Sequence, residues 1–380
     1  MSSVRNVKTF PGSTLEALAP LRRVARLKAS YTTRHVARWV TSDPVGFHLL
    51  SGPDVRPRAG DVVLARVLEI GHHKRIELPD SRRALLFPED EIMLAYGDRY
   101  APDQFEAEVP DGLQTTNLVA AGGLAGRVLS QHEQVEEPTT IAPVGLLYRD
   151  GAVIRLDTCA PHEVDPEIDP ALPASSAAVV AVIGTSMNSG KSTTAGALVR
   201  GLTAAGYDVA AGKVTGTGAG NDTRLFGDCG AISVLDFTDF GFASTYQLPP
   251  AQVRGLLVGM VSALSLGGPD VVVLEIADGL FQQETSRLVS DPAFARIVDA
   301  VVFAAHDAAG AFAGVRVLSE AGLDVAAVSG VLTSSPLAFR EARQVVGVPV
   351  VHTEDLARPE VGVPLLDARC AAMSGAVGAG

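Results

Sequence analysis

The sequence predicts an α/β protein in which a C-terminal parallel-sheet domain follows a small β-rich, barrel-like N-terminal domain. Three observations predict it. Near-continuous apolar strands alternate with helix-like stretches between residues 178 and 352, which implies a parallel sheet covered by helices on both faces. Ahead of residue 160, short apolar runs recur at close spacing between turn residues, the pattern of a small antiparallel sheet or barrel. Between them, residues 161–176 are rich in Pro, acid, Ala and Ser, which marks a linker.

Composition narrows the class. A chain of 380 residues favours two domains over one. With 47% hydrophobic residues it is globular rather than disordered. No apolar run reaches the length of a membrane span, and the charged N-terminus has no secretory apolar core. Cys159, Cys229 and Cys370 are too scattered for a zinc pattern and suggest a reducing cytoplasm. A net charge of −12 argues against a nucleic-acid partner for the whole chain.

In chain order, residues 1–50 form a basic N-terminal segment. Leu15, Leu18, Leu21, Val24 and Leu27 recur at helix-like spacing. The charge around them reads as a solvated face, or as a surface for a partner. Trp39 is expected to pack where this segment meets the next. Residues 51–160 are the β-rich domain, with strands at 61–70, 74–78 and 83–87. His72 and His73 are adjacent, point apart and lack partners at ligand spacing, which disfavours a metal there. The cluster of Gly122, Gly123 and Gly126 is a sheet bend or a close approach to a ligand. A hairpin turns at Asp150-Gly151.

The C-terminal domain, residues 177–356, begins with the stretch that carries the chemistry. An apolar strand ends at Gly184. A small polar loop, Thr185-Ser-Met-Asn188-Ser189, leads to Gly190-Lys191-Ser192-Thr193 at the head of a helical pattern. Strand, glycine-bounded loop and helix make a phosphate-binding P-loop. Its backbone N–H groups converge on phosphate oxygens and the helix N-terminus adds positive charge. Lys191 is placed to reach the outer phosphates, and the Ser192 hydroxyl to ligate magnesium. Further strands are expected at 208–214, 231–236, 270–276, 299–305, 324–332 and 348–352, and residues 357–380 form a tail.

Five residues separate Gly184 from Gly190 and the loop opens Gly-Thr. In this it resembles dethiobiotin synthetase and the ATP-dependent cobyric and cobyrinic acid amidases, over roughly residues 177–352. The partition and septum-site ATPases carry an extra lysine where this chain has Ser186. The resemblance implies ATP with Mg2+, a homodimer, and roles for two further strand ends. Lys213, in Gly212-Lys213-Val-Thr215-Gly216, would assist phosphoryl transfer. Glu275, closing the strand that leads to Asp278-Gly279, would help hold magnesium. Ile276 and Ala277 replace two glycines of the family pattern, so the adjoining substrate surface differs. A looser likeness, in its Asp-rich loop, is to P-loop proteins related to D-glutamate N-acetyltransferases.

Asp236, Asp239 and Asp222 compete to complete the metal shell or to position a nucleophile. Thr333 follows the Gly330-Val-Leu332 strand end, where the family reads adenine with an asparagine. A hydroxyl suits either base, so ATP is the default by resemblance and GTP stays open. The expected activity is Mg-ATP-dependent phosphoryl transfer to, or ligation of, a small carboxylate-type metabolite. Two rivals stand beside it. One is an NTP-hydrolysing switch whose basic N-terminal region binds a protein or nucleic acid; the other is an acyltransferase using the loop for a nucleotide-like cofactor.

Overall fold

The computed structural model describes residues 12–18, 23, 26–168 and 177–366. The tail from residue 367 and the linker's residues 169–176 lie outside them. Two compact units emerge: residues 1–163 with 217–220 and 237–246, and residues 164–216 with 221–236 and 247–380.

The first unit holds β1 (Thr14–Ala17), β2 (Lys28–Ala29), α1 (Arg34–Ser42), β3 (His48–Ser51), β4 (Val62–Glu69), β5 (Arg75–Glu77), β6 (Arg83–Leu85), β7 (Glu91–Tyr96), β8 (Phe105–Glu108), β9 (Thr116–Ala120), β10 (Leu124–Gln131), β11 (Thr139–Arg149) and β12 (Ala152–Val153). Five of these close a ring, β11–β4–β7–β10–β9 and back to β11. The unit is therefore a barrel, and closure removes the exposed edges an open sheet would carry. Two pairs, β7 with β10 and β2 with β7, are parallel, where the sequence implied an antiparallel sheet.

Alternation along β4 explains the double burial. Val63, Ala65 and Val67 join one apolar cluster, while Val62 and Leu64 join another that includes Val36, Ala37 and Val40 of α1. Successive side chains on a strand face opposite ways, so one set faces each core.

Several expectations are corrected here. Thr14–Ala17 is a strand paired with β3, not the start of a helix; residues 19–22, 24 and 25 of that stretch lie outside the described residues. His48, Leu49 and Leu50, at the end of the basic N-terminal segment, pair with β11 in the barrel's sheet. The His72 and His73 rings do not point apart; they meet edge-on 4.9 Å apart and both pack against Phe105. The Gly122-Gly123 pair lies in the β9–β10 turn, where Gly122 approaches the Gly218 backbone. Trp39 packs edge-on to Phe47, with Arg149 over its ring.

The second unit holds β13 (Ala178–Gly184), α2 (Lys191–Ala204), β14 (Val209–Lys213), α3 (Gly220–Asp228, whose first residue groups with the other unit), β15 (Ser233–Asp236), α4 (Pro250–Ser265), β16 (Val271–Glu275), α5 (Gln283–Val289), α6 (Pro292–Ile297), β17 (Ala300–Ala304), α7 (Ala308–Glu320), β18 (Val325–Ser329), α8 (Pro336–Val345) and α9 (Pro359–Gly362). Its six strands are parallel, in the order β15–β14–β16–β13–β17–β18. The chain is thus α/β, with a P-loop parallel-sheet unit and a β-rich barrel. Leu198, Val199 and Leu202 of α2 pack on Val180, Val182, Val271 and Val302. The strand expected at 348–352 is absent; that segment makes a single bridge, Val350 to Val328. Among the described residues, no helix is long and apolar enough to cross a membrane.

Candidate functional site

In parallel sheets of this kind, ligands gather at the carboxyl ends of the strands. β13 ends at Gly184, and the loop to α2 is tied to its neighbours by backbone. Thr185 N–H donates to Ala304 O at 3.0 Å, Leu280 N–H to Gly184 O at 2.9 Å, and Val331 N–H to Ser189 O at 3.0 Å. Gly190 turns the chain into α2 at φ +93°, and Gly330 turns it after β18 at φ +95°. Both values need a residue without a Cβ. They also let two loops touch: a Cβ on Gly330 would lie 2.5 Å from Ser189 O.

Within this loop Lys191 donates from Nζ to Ser186 O at 2.7 Å. Burial holds its pKa below the usual lysine value, against the pull of Glu275 and Asp278. The hydroxyls of Thr185 and Ser189 are buried without hydrogen-bond partners. Asn188 takes a left-handed φ of 61°, and Thr193 lies in the first turn of α2.

Register assembles the rest. Lys213 pairs with Asp236 on β15 and with Glu275 on β16. Paired residues on parallel strands face the same side, so acid, lysine and acid form one row across three strands. Asp222, in the first turn of α3, makes a close ion pair with Lys213, whose Nζ is also 3.5 Å from Glu275 Oε1. Ser192 Oγ donates to Glu275 Oε1 at 3.2 Å.

Burial alone would lower the Lys213 pKa, but Asp222 and Glu275 outweigh it and hold the ammonium raised. Asp222 is lowered: burial opposes its charge, and the Lys213 ion pair overcomes it. Glu275 is raised, chiefly by burial and then by the Asp222 charge. Its Oε2 is buried and has no hydrogen-bond partner. An orphaned carboxylate oxygen beside a serine hydroxyl fits a hard cation, which takes oxygen ligands.

The structure therefore brings together Lys191, Ser192, Lys213, Asp222 and Glu275, with Asp236 in the same row. Asp239 goes elsewhere. It belongs to the barrel unit, in a close ion pair with Arg34 and with its Oδ1 2.9 Å from His35 Nε2. Thr333 is engaged in its own turn, donating to Gly330 O at 2.8 Å and accepting from Thr353 N–H at 3.3 Å. Two residues given no role by the sequence prove structural at the site. Thr215 and Thr285 both donate hydroxyls to Ala277 O, bracing the segment between Glu275 and Gly279. A hydroxyl just beyond an apolar strand was the available signal for Thr215.

No family model matches the chain, and no curated protein matches it. Among solved structures it is similar to signal recognition particle 54 kDa protein from Aeropyrum pernix K1 in complex with GDP, at 18% identity and TM-score 0.34, over 58% of this chain. It is similar to the signal recognition particle receptor FtsY from Elizabethkingia anophelis in complex with GDP, at 18% identity and TM-score 0.29, over 56% of this chain. It is also similar to a DUF1611 family protein from Anabaena variabilis, at 17% identity and TM-score 0.38, over 55% of this chain. The matches span 53%, 59% and 61% of those three chains respectively.

Proposed function

We propose that the chain binds a magnesium nucleoside triphosphate at residues 184–193 and transfers the terminal phosphoryl group to a small carboxylate-type metabolite, as a kinase or ligase. The observation that carries this reading is a second, half-buried lysine. Lys213 stands at a strand end in one row with Glu275, and Ser192 of the phosphate loop bonds to that glutamate. A loop that only held a nucleotide has no need of a second ammonium beside the first.

Phosphoryl transfer asks the protein mainly to place positive charge where negative charge spreads. Lys191 would exchange its bond to Ser186 O for the outer phosphate oxygens. Backbone N–H groups at the head of α2 would hold the inner ones. Ser192, Glu275 and Asp222 would hold magnesium, which neutralises charge on the phosphates when bound. Among the described residues no group of three His, Cys, Asp or Glu is placed to hold a metal alone. Magnesium taken through one or two carboxylates, water and substrate phosphate does not need one. Burial keeps these charges out of high-dielectric water, which strengthens each of them.

Titration with fluorescent ATP and GTP analogues in Mg2+ tests the binding. ADP or GDP release is then followed across a panel of small carboxylates. Wild type is expected to bind one nucleotide at micromolar concentration and to turn it over faster with one acceptor class. Lys191→Ala is expected to weaken binding at least ~10-fold, about 1.4 kcal/mol. No binding of either nucleotide at millimolar concentration sinks the reading. Turnover indifferent to every acceptor removes the transferase part.

A further inference from the structure

Lys213 is engaged in a way that phosphoryl transfer alone does not require. Its ammonium makes a close ion pair with Asp222 and lies 3.5 Å from Glu275 Oε1. Those are the carboxylates that the reading above gives to magnesium. We propose that Lys213 is an exchangeable internal cation. Before a magnesium nucleotide binds, its ammonium compensates Asp222 and Glu275 in the metal's stead; metal binding displaces it and frees its charge for the phosphate oxygens.

Three observations support the exchange. The Lys213 side chain is 12% exposed, Asp222 16% and Glu275 2%, so solvent does little to neutralise the two acids. Removing a lone partner from such a group leaves an uncompensated buried charge, which is strongly unfavourable. The compensation is incomplete in a directional way, because Glu275 Oε2 keeps no hydrogen-bond partner while Oε1 accepts from Ser192 and lies 3.5 Å from the Lys213 ammonium. One carboxylate oxygen is thus held and the other remains open to a ligand. Lastly, Lys191 is turned to Ser186 O, and Lys213 is the lysine that ion-pairs with both acids. A divalent ion and an ammonium cannot both sit between the same two carboxylates, since like charges at contact repel at low dielectric.

A consequence follows for order of events. Free metal has to compete with a tethered ammonium, so it binds weakly alone. Metal arriving with a triphosphate brings its own anions, which give the displaced lysine a new partner. The site would then admit magnesium with nucleotide and resist it without.

The proposal rests on the magnesium-nucleotide reading for its biological setting, but its test uses no nucleotide. Binding of Mn2+ alone to the full-length protein is measured by the loss of free-ion paramagnetic resonance signal. Lys213→Met is expected to bind Mn2+ at least 10-fold more tightly than wild type. It should also show a lowered melting temperature that Mn2+ or Mg2+ restores more than in wild type. The gain should vanish in Lys213→Met/Glu275→Gln. A folded Lys213→Met with wild-type Mn2+ affinity overturns the proposal, as does a gain that survives Glu275→Gln. If Lys213→Met is recovered only with Mg2+ present, that dependence is the expected result. If it is not recovered at all, Lys213→Gln takes its place: tighter Mn2+ binding supports the exchange and wild-type affinity overturns it. Tight Mn2+ binding by the variant, with no nucleotide bound by wild type, would refute the enzyme reading and leave the exchange standing. Nucleotide binding with unchanged Mn2+ affinity would do the reverse.

Discussion

Three basic side chains with little solvent exposure illustrate how environment sets role. Lys191 is depressed by burial, Lys213 is raised by its carboxylates, and His73 in the barrel is lowered to about 3. For His73 the cause is burial first, then the Arg99 guanidinium, whose nitrogen is 3.3 Å from Nε2. The neutral ring donates from Nε2 to Val119 O at 2.9 Å, and neighbouring His72 also disfavours a proton. The folded pKa therefore lies below the unfolded value of about 6.5, so the unfolded chain binds the extra proton first. Stability is lost as pH falls from about 6.5 towards about 3, and is fully present above it. Between pH 7 and pH 5 this one group should cost about 2 kcal/mol. His73→Gln should shrink the pH-dependent loss by that amount in urea unfolding at the two pH values. An undiminished loss in the variant would assign the effect to other groups.

At the scale of elements, the phosphate loop depends on a turn 140 residues further along. Gly330 adopts φ +95° and its missing Cβ leaves room for Ser189 O. Gly330→Ala should therefore cost about 1–3 kcal/mol of stability through backbone strain and weaken nucleotide binding as the loop shifts. Differential scanning calorimetry and nucleotide titration check it; unchanged affinity would show the two loops to be independent. This dependence marks the limit of what sequence shows. The loop from Gly184 to Thr193, the strand ends at Lys213 and Glu275, and the apolar periods of β13 to β18 are local signals, and each was legible. Pairings between distant segments were not. The close contact of Asp222 with Lys213 needs the first turn of α3 to return to the end of β14. Asp239 looked equivalent to Asp236, yet it pairs with Arg34 and His35, about two hundred residues away in sequence. Barrel closure has the same origin, because β9 meets both β10 and β11 and no single strand records that.

At the scale of the whole molecule, the chain passes from one unit to the other more often than its composition suggests. The Pro- and Ala-rich stretch 161–176 reads as the one joint between two independent domains. Residues 217–220 and 237–246 lie far beyond that joint, and both belong to the barrel unit. The second segment is committed there by burial. Phe237 and Phe240 are buried, Ala243 joins an apolar cluster with Val62 and Leu64, and the Phe240 ring stacks 5.0 Å from His162. Tyr246 adds a ring contact with Tyr100 at 5.6 Å. A fragment beginning at residue 177 would keep Phe240, Ala243 and Tyr246 and lose their partners His162, the Val62–Leu64 cluster and Tyr100. Exposing these side chains in one short stretch creates the apolar patch that promotes association. Residues 177–380 expressed alone should therefore aggregate or elute as oligomers in size-exclusion chromatography, while the full chain remains well behaved. Replacing Phe237, Phe240 and Ala243 by Ser in the fragment should restore solubility, because it removes the patch without touching residues 184–193. A soluble, monomeric and cooperatively unfolding 177–380 fragment would show instead that these loops can be re-buried within the parallel-sheet unit. The joint at 161–176 would then be a true domain boundary.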